Sequence, residues 1–292
     1  MMARTIAPRA GFGALFSAMG AALQWRLLLL WLLLMLLPAT VVALPLWRSL
    51  GGLLDHSVHA DAWARQFDPL MFGDAAFALG GHAAWLGGAA LLGLGLTLLL
   101  SPFLDGMAVG SGRAGRSLGF GPLLQNGWIE YGRMFRVMLW SLLPYAVVVL
   151  VAAAAMHMAD RHADQAVLES QADAAAHGAR WVLLVVFVLM QAVVESTRAA
   201  FIADAGLRSA TRAFGRGLLQ LLRRPLKTLL FYLLVSVLGL AVAAALGIAR
   251  IHVTAVDGGF WLALLLSQLI VAALAWMRVA RLFALARLAR SR

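Results

Sequence analysis

Six runs of about twenty apolar residues constrain this chain more than any other feature. A helix needs about 20 apolar residues to cross a hydrocarbon layer ~30 Å thick. The runs lie near 27–46, 83–103, 137–157, 181–202, 228–248 and 259–277. Because backbone polar groups must be paired within the segment when it crosses lipid, the runs predict six transmembrane helices. We therefore predict an all-α integral membrane protein whose 292 residues form a single membrane domain.

Composition narrows the class of function. Apolar residues make up 63% of the chain and charged residues 13%, whereas about a quarter of a soluble domain is charged. Cysteine is absent, which excludes disulfides, thiolate metal sites and a cysteine nucleophile. No segment outside the runs is longer than roughly 35 residues, too short for an independent catalytic domain. We therefore expect neither an enzyme nor a cofactor.

The distribution of positive charge predicts the orientation in the membrane. Lysine and arginine total 24, for a net charge of +11. All but five lie on one side of the predicted spans, and the exceptions are Arg48, Arg65, Arg161, Arg180 and Arg250. Positive loops stay on the cytoplasmic side, so we expect both chain ends there, in the inner membrane of a bacterium. The positive-inside distribution then explains the net positive charge, which does not indicate a nucleic-acid partner.

A spacing pattern suggests an internal repeat. Phe-Gly pairs occur at 12–13, 120–121 and 214–215, followed thirteen or fourteen residues later by Arg26, Arg133 and Lys227. Each basic residue precedes an apolar run. The pattern predicts three units, near 10–105, 115–205 and 208–285, each with a short cytoplasmic interfacial helix and two spans.

The short helices are expected to be amphipathic and to lie in the head-group layer. Each basic residue close to anionic lipid contributes about 1 kcal/mol. The expected lipid contacts are Arg26, Arg133, Arg136, Arg212, Arg216, Arg223, Arg224 and Lys227. The sequence therefore predicts the anionic inner leaflet as a partner; alternatively these charges only set the topology.

The fourth run contains ionisable groups. Gln191, Glu195 and Arg198 are spaced i, i+4 and i+7 and so share one helical face. Ionisable groups inside a membrane are costly and face protein or water. Two interpretations stay open here, a structural ion pair and a proton- or cation-coupled transport site.

Small residues recur every fourth position in two runs. They are Ala89, Gly93, Thr97 and Ser101 in the second run, and Gly239, Ala243 and Gly247 in the fifth. Such stripes let helix backbones approach closely. They predict helix packing within a bundle and are also compatible with a homodimer or with other membrane proteins as partners.

Two further patterns are weaker. His56, His59, His157 and His162 lie beside aspartates on the predicted outer side, where they could bind a metal ion, sense pH or simply be solvated. The stretch "GSGRAG" at 110–115 matches G-x-G-x-x-G, but it follows a predicted span and not a strand. We expect it to be a flexible cytoplasmic loop within the segment 104–136.

The segment 195–234, "ESTRAAFIADAGLRSATRAFGRGLLQLLRRPLKTLLFYLL", resembles a large family of uncharacterised six-helix proteins of the bacterial inner membrane. The family carries an acidic-x-x-Arg element, matched by Glu195 and Arg198, and a later Arg-Arg-Pro, matched by Arg223, Arg224 and Pro225. A tyrosine often found inside the first element is absent, since Ser-Thr occupies 196–197. The resemblance implies the six-helix fold and brings no activity with it.

These patterns favour a non-enzymatic accessory or scaffolding protein that contacts lipid and other membrane proteins. One alternative is a transporter of small solutes or ions that uses Glu195 and Arg198. A second is a metal- or pH-responsive protein that uses the outer histidines.

Overall fold

The structure is a computed structural model that describes residues 11–55, 57–58, 69–81, 83–165, 168–254 and 258–291. The residues it describes form nine helices and no strand. In chain order the helices are α1 (Phe12–Ala21), α2 (Trp25–Leu54), α3 (Pro69–Gly80), α4 (Ala83–Ala114), α5 (Phe120–Gln165), α6 (Glu169–Ala203), α7 (Ala210–Arg223), α8 (Pro225–Ile251) and α9 (Gly259–Arg290).

Six helices, α2, α4, α5, α6, α8 and α9, are long and apolar enough to cross a membrane. This confirms the prediction of a helical protein with several membrane spans. Helix α4 packs between α2 and α5, α5 packs on α6, and α9 contacts α6, α8 and α2.

Several helices are longer than the apolar runs that predicted them. The expectation of a loop over 104–136 is wrong, because α4 continues to Ala114 and α5 begins at Phe120. The "GSGRAG" stretch is therefore mostly helical. Helix α4 is followed by Gly115, whose φ of 64° lies in the left-handed region that glycine adopts at little cost.

The tightly packed core lies at one end of the bundle, which we call the basic end. It contains α1, α7, the connection between α4 and α5, and the last turns of α9. Large side chains that are fully buried there include Leu104, Met107, Phe201, Leu282 and Leu285. Toward the opposite end most leucines of the six long helices are exposed, as expected for surfaces that face lipid.

The predicted short helices are present in part. Helices α1 and α5 begin at Phe12 and Phe120, whereas Phe214 lies inside α7. The second short helix does not exist separately, because α5 runs unbroken for 46 residues. No proline lies between Pro122 and Pro144. By contrast α7 ends just before Pro225, since a proline disfavours helix at the residue that precedes it.

Helix α1 is held by protein contacts on one face. Leu15, Ala18 and Met19 are buried, and the helix packs against α9. The indole of Trp276 donates to the carbonyl of Met19 at 3.1 Å. Because neither α1 nor α3 contains a basic residue, α7 is the only separate short helix among the described residues that has a strongly basic face.

Candidate functional site

The acidic-x-x-Arg element of α6 lies inside a network of buried charges at the basic end. Glu195 and Arg198 are both buried. Arg198 Nη1 lies 3.4 Å from Glu195 Oε1, and Arg198 Nε lies 3.1 Å from Asp105 Oδ2 on α4. Arg198 therefore connects two carboxylates that belong to different helices.

Two arginines of α9 complete the network. Arg278 Nη2 lies 2.9 Å from Asp105 Oδ1 and donates to the hydroxyl of Ser101 at 3.1 Å. Arg281 Nη2 lies 3.6 Å from Glu195 Oε1. The ion pairs thus join α4, α6 and α9.

Aromatic and hydroxyl groups extend these contacts to two more helices. Arg281 Nη1 lies 3.3 Å from the hydroxyl of Tyr232 and 3.3 Å from that of Ser236, both on α8. The guanidinium of Arg281 also lies 5.2 Å from the ring centroid of Tyr232. Arg278 stands 5.5 Å from the ring centroid of Trp31 on α2. Five of the six long helices therefore contribute to one site.

The charges of this site are nearly balanced. Three guanidinium groups, of Arg198, Arg278 and Arg281, face the carboxylates of Asp105 and Glu195. Pairing offsets the cost of removing these ions from water, and breaking one pair leaves an uncompensated buried charge. Glu195 Oε2 is buried and has no hydrogen-bond partner among the described residues. Asp105 Oδ1 has no hydrogen-bond partner there either, but it lies 2.9 Å from the guanidinium of Arg278.

Gln191 lies outside the ion pairs. Its side-chain oxygen accepts a hydrogen bond from the hydroxyl of Tyr145 on α5 at 2.6 Å. It stands one turn of α6 before Glu195, in the direction away from the basic end. The three residues singled out on α6 therefore make contacts with different neighbouring helices.

A third buried carboxylate, outside this network, belongs to Glu130 on α5. Its Oε1 lies 2.6 Å from Arg113 Nη1 and 2.9 Å from Arg133 Nη1. Arg113 Nε also donates to the carbonyl of Phe201 at 2.8 Å. Arg133, expected to face lipid, thus pairs with a carboxylate of its own helix, whereas Arg113 links α4 to α5 and α6.

The other expected lipid contacts have varied surroundings. The guanidinium of Arg26 lies 5.2 Å from the ring of Trp25, and Arg224 donates to the carbonyl of Ser291 at 2.8 Å. Arg216 Nη1 lies 2.6 Å from Asp204 Oδ2 at the surface. The remaining four are exposed and have no acidic partner among the described residues; they are Arg136, Arg212, Arg223 and Lys227.

The exposed carboxylate of Asp204 has a perturbed pKa. The hydrogen bond from Arg216 lowers the pKa of this group below its ordinary value, and the hydrogen bond from the backbone N–H of Gly206 lowers it further. Both donors favour the charged form. Asp204 is therefore ionised at neutral pH and forms an exposed ion pair with Arg216 of α7.

The stripes of small residues lie mainly at contacts within the chain. A Cβ at Gly93 would stand 2.5 Å from Val42 Cγ2 of α2, and one at Gly239 would clash with Met277 of α9. Ala243 is buried and Ser101 accepts from Arg278. The other members are half-buried, and they are Ala89, Thr97 and Gly247. Contacts within the chain therefore account for Gly93 and Gly239, whereas a Cβ at Gly247 would meet no atom within 4 Å.

The histidines give no metal site that can be described. His56 and His59 lie outside the described residues. His157 and His162 are exposed near the end of α5, and a ring nitrogen of His162 lies 2.8 Å from the carbonyl of Met158. Among the residues that the structure describes, no group of three or more metal-ligating side chains occurs.

The sequence pattern missed Asp105, Arg278 and Arg281, which lie just beyond the second and sixth apolar runs. A signal for one of them was present, since Asp105 is the next fourth-residue position after Ala89, Gly93, Thr97 and Ser101. A stripe that ends in a carboxylate indicates a helix face directed at protein. The two arginines of α9 carried no comparable signal, because basic residues after a span are expected from topology alone.

Comparison with known proteins adds no functional assignment. No protein-family model matches the chain, and searches of curated proteins and of solved structures find none that is similar. The interpretation of the site therefore rests on its own geometry.

Proposed function

We propose that this protein is a non-enzymatic accessory component of the bacterial cytoplasmic membrane. Its basic end would face the cytoplasm and contact anionic lipid and other membrane proteins. The proposal rests on the contrast between two sets of charges. The interior charges of Asp105, Glu195 and Arg198 are paired with each other or with α9.

The surface charges of the basic end are available to partners. Arg136, Arg212 and Lys227 are exposed, and none has an acidic partner among the described residues. Unpaired basic groups beside a membrane attract anionic lipid and acidic protein surfaces. The interior network would then fix the bundle, while the surface set would contact partners.

The test compares two variants that remove equal charge from opposite ends. One variant replaces Arg136, Arg212 and Lys227 by glutamine, and the matched control replaces Arg161, Arg180 and Arg250. The tagged full chain is purified in mild detergent, and the co-purified membrane proteins are quantified by mass spectrometry. We expect the first variant to lose proteins that the control retains. Equal recovery with both variants would contradict the proposal.

A transporter that uses Glu195 and Arg198 is a second candidate, favoured by the unpartnered Glu195 Oε2. Transport coupled to protons needs a carboxylate that can take up and release a proton inside the membrane. Proteoliposomes with an internal pH dye distinguish the two functions. Proton flux that Glu195→Gln abolishes while the thermal midpoint is kept would favour transport. A lowered midpoint without any flux would favour the structural role.

The metal- or pH-responsive function stays an alternative that no observation on the described residues favours. Zinc titration of the full chain, with His157 and His162 replaced by alanine as the comparison, would test it directly.

A further inference from the structure

A groove at the basic end combines positive charge with apolar side chains. It lies between α7 and the last turn of α9, beside the end of α6, and encloses about 380 Å³. Its lining includes Asp204, Arg216, Leu219, Arg223, Arg224 and Arg290. The volume falls within the range of about 300–1,000 Å³ that is usual for small-ligand sites.

The charges of the groove are not balanced by the protein. Four guanidinium groups and a single carboxylate, that of Asp204, line it. Arg216 pairs with Asp204 at 2.6 Å. Arg224 donates to the carbonyl of Ser291, and Arg290 donates to that of Ile202. These neutral acceptors hold the two guanidinium groups in place and leave their charge uncompensated.

Arg223 is the free arginine of the groove. It is exposed and has no hydrogen-bond or ion-pair partner among the described residues. An arginine fork of this kind suits the oxygens of a phosphate group, to which it can donate two parallel hydrogen bonds. The chemistry of the groove therefore favours a phosphate-bearing anion.

The position of the groove indicates where that phosphate comes from. Arg224 is the cap of α8, a span helix that begins at Pro225, so the groove opens where an apolar helix enters the membrane. Leu219 of the groove is 40% exposed, and Leu222 and Leu226, which lie outside the lining but flank Arg223 and Arg224 in the sequence, are 67% and 82% exposed. Leucines exposed beside arginines match a ligand that has acyl chains next to its phosphate.

We propose that this groove binds the head group of an anionic phospholipid, with Arg223 contacting the phosphate. The proposal rests on the accessory function and deepens it, because it assigns one lipid to one site. Arg224 and Arg290 would add positive charge from the floor of the groove. The leucines would lie along the acyl chains.

The experiment uses the purified full chain in mild detergent, and native mass spectrometry measures bound lipid. The probes are dioctanoyl phosphatidylglycerol and dioctanoyl phosphatidylcholine, with glycerol 3-phosphate as the soluble competitor. Arg223→Gln removes the free arginine of the groove. The matched control is Arg208→Gln, which removes the same charge from an exposed position of the basic end outside the groove.

We expect Arg223→Gln to bind phosphatidylglycerol roughly tenfold more weakly, the loss of one charge-assisted contact. Arg208→Gln should bind like the unmodified chain, and phosphatidylcholine should bind weakly to all three. Equal binding by the two variants would overturn the proposal, because it would indicate a diffuse attraction. Displacement by equimolar glycerol 3-phosphate would overturn the assignment to lipid. Neither outcome depends on protein partners, so failure here is distinct from failure of the accessory function.

Discussion

Arg198 contacts both Asp105 and Glu195, and these two contacts determine how the removal of one buried charge affects stability. Its Nε and Nη1 atoms lie 3.1 and 3.4 Å from the two carboxylates. A buried ion contributes little net stability while its partner is present, but it is costly when the partner is removed. The consequence of losing any one charge therefore depends on which charge is left alone.

Asp105→Asn would leave Arg198 and Arg278 with one carboxylate fewer between them. We expect the free energy of unfolding to fall by about 3–5 kcal/mol, as for other broken buried pairs. Thermal unfolding of the purified chain in detergent measures the change. Asp204→Asn is the control, since its ion pair with Arg216 is exposed and screened by solvent. An unchanged thermal midpoint for Asp105→Asn would contradict the role of Asp105 in compensating the buried charges of Arg198 and Arg278.

The lowered pKa of Asp204 predicts how the stability of the protein depends on pH. The hydrogen bonds from Arg216 and Gly206 lower the pKa of Asp204. The contribution of this carboxylate to folding stability is therefore fully present above the ordinary pKa of aspartate. It is lost as the pH falls through the lowered value. Carbon NMR of the side-chain carboxyl should show titration below the ordinary range. Arg216→Gln should raise the pKa toward the ordinary value, and an identical titration in that variant would contradict the assigned cause.

At the level of elements, α7 is placed by a close approach to α6. Ala213, Gly217 and Leu221 form its buried face, and a Cβ at Gly217 would stand 2.5 Å from Thr197 Oγ1 and 2.6 Å from Thr197 N. A side chain at this position would push against backbone, which cannot move aside cheaply. The contact keeps the arginines of α7 beside the end of α9.

Gly217→Ala should therefore separate α7 from α6 and lower the free energy of unfolding by about 1–3 kcal/mol. Gly215→Ala in the same helix is the matched control, because a Cβ there meets no atom within 4 Å. Alanine at that position should raise stability by up to about 1 kcal/mol through better helix propensity. Thermal unfolding of the two variants should thus shift in opposite directions. Shifts of the same sign would refute the proposed close approach.

Sequence spacing predicted the starts of two helices, at Phe12 and Phe120, but not that of α7, which begins at Ala210 before Phe214. Pro225 limits the end of α7 because a proline disfavours helix at the preceding residue. The continuation of α4 to Ala114 was missed because its last turns are rich in glycine, which propensity disfavours in helices. Packing compensates there, since a Cβ at Gly106 would stand 2.9 Å from the carbonyl oxygen of Gly127.

For the whole molecule, six apolar helices meet in a packed core at the basic end and face outward with leucine elsewhere. Charge asymmetry predicts that this end lies in the cytoplasm. The chain has no native cysteine, so single cysteines can be introduced without background. Two exposed positions serve: Ser117 between α4 and α5, and Asp160 near the far end of α5.

A membrane-impermeant maleimide should label Asp160→Cys in cells whose outer membrane has been permeabilised. Ser117→Cys should be labelled only after the inner membrane is disrupted, because both chain ends and this connection are expected inside. A denatured sample provides the control for reactivity. Labelling of Ser117→Cys in intact spheroplasts would reverse the proposed orientation.

The number and apolar character of the membrane helices could be predicted from the sequence alone, because the cost of an unpaired backbone in lipid acts on each segment separately. The same holds for Glu195 and Arg198 as neighbours, since a helix fixes the face that they share. The tertiary structure decided their partners, because Asp105 and Arg281 come from distant segments and no local rule relates them to α6. The groove with Arg223 was likewise decided by the fold, which brings α7 beside the end of α9.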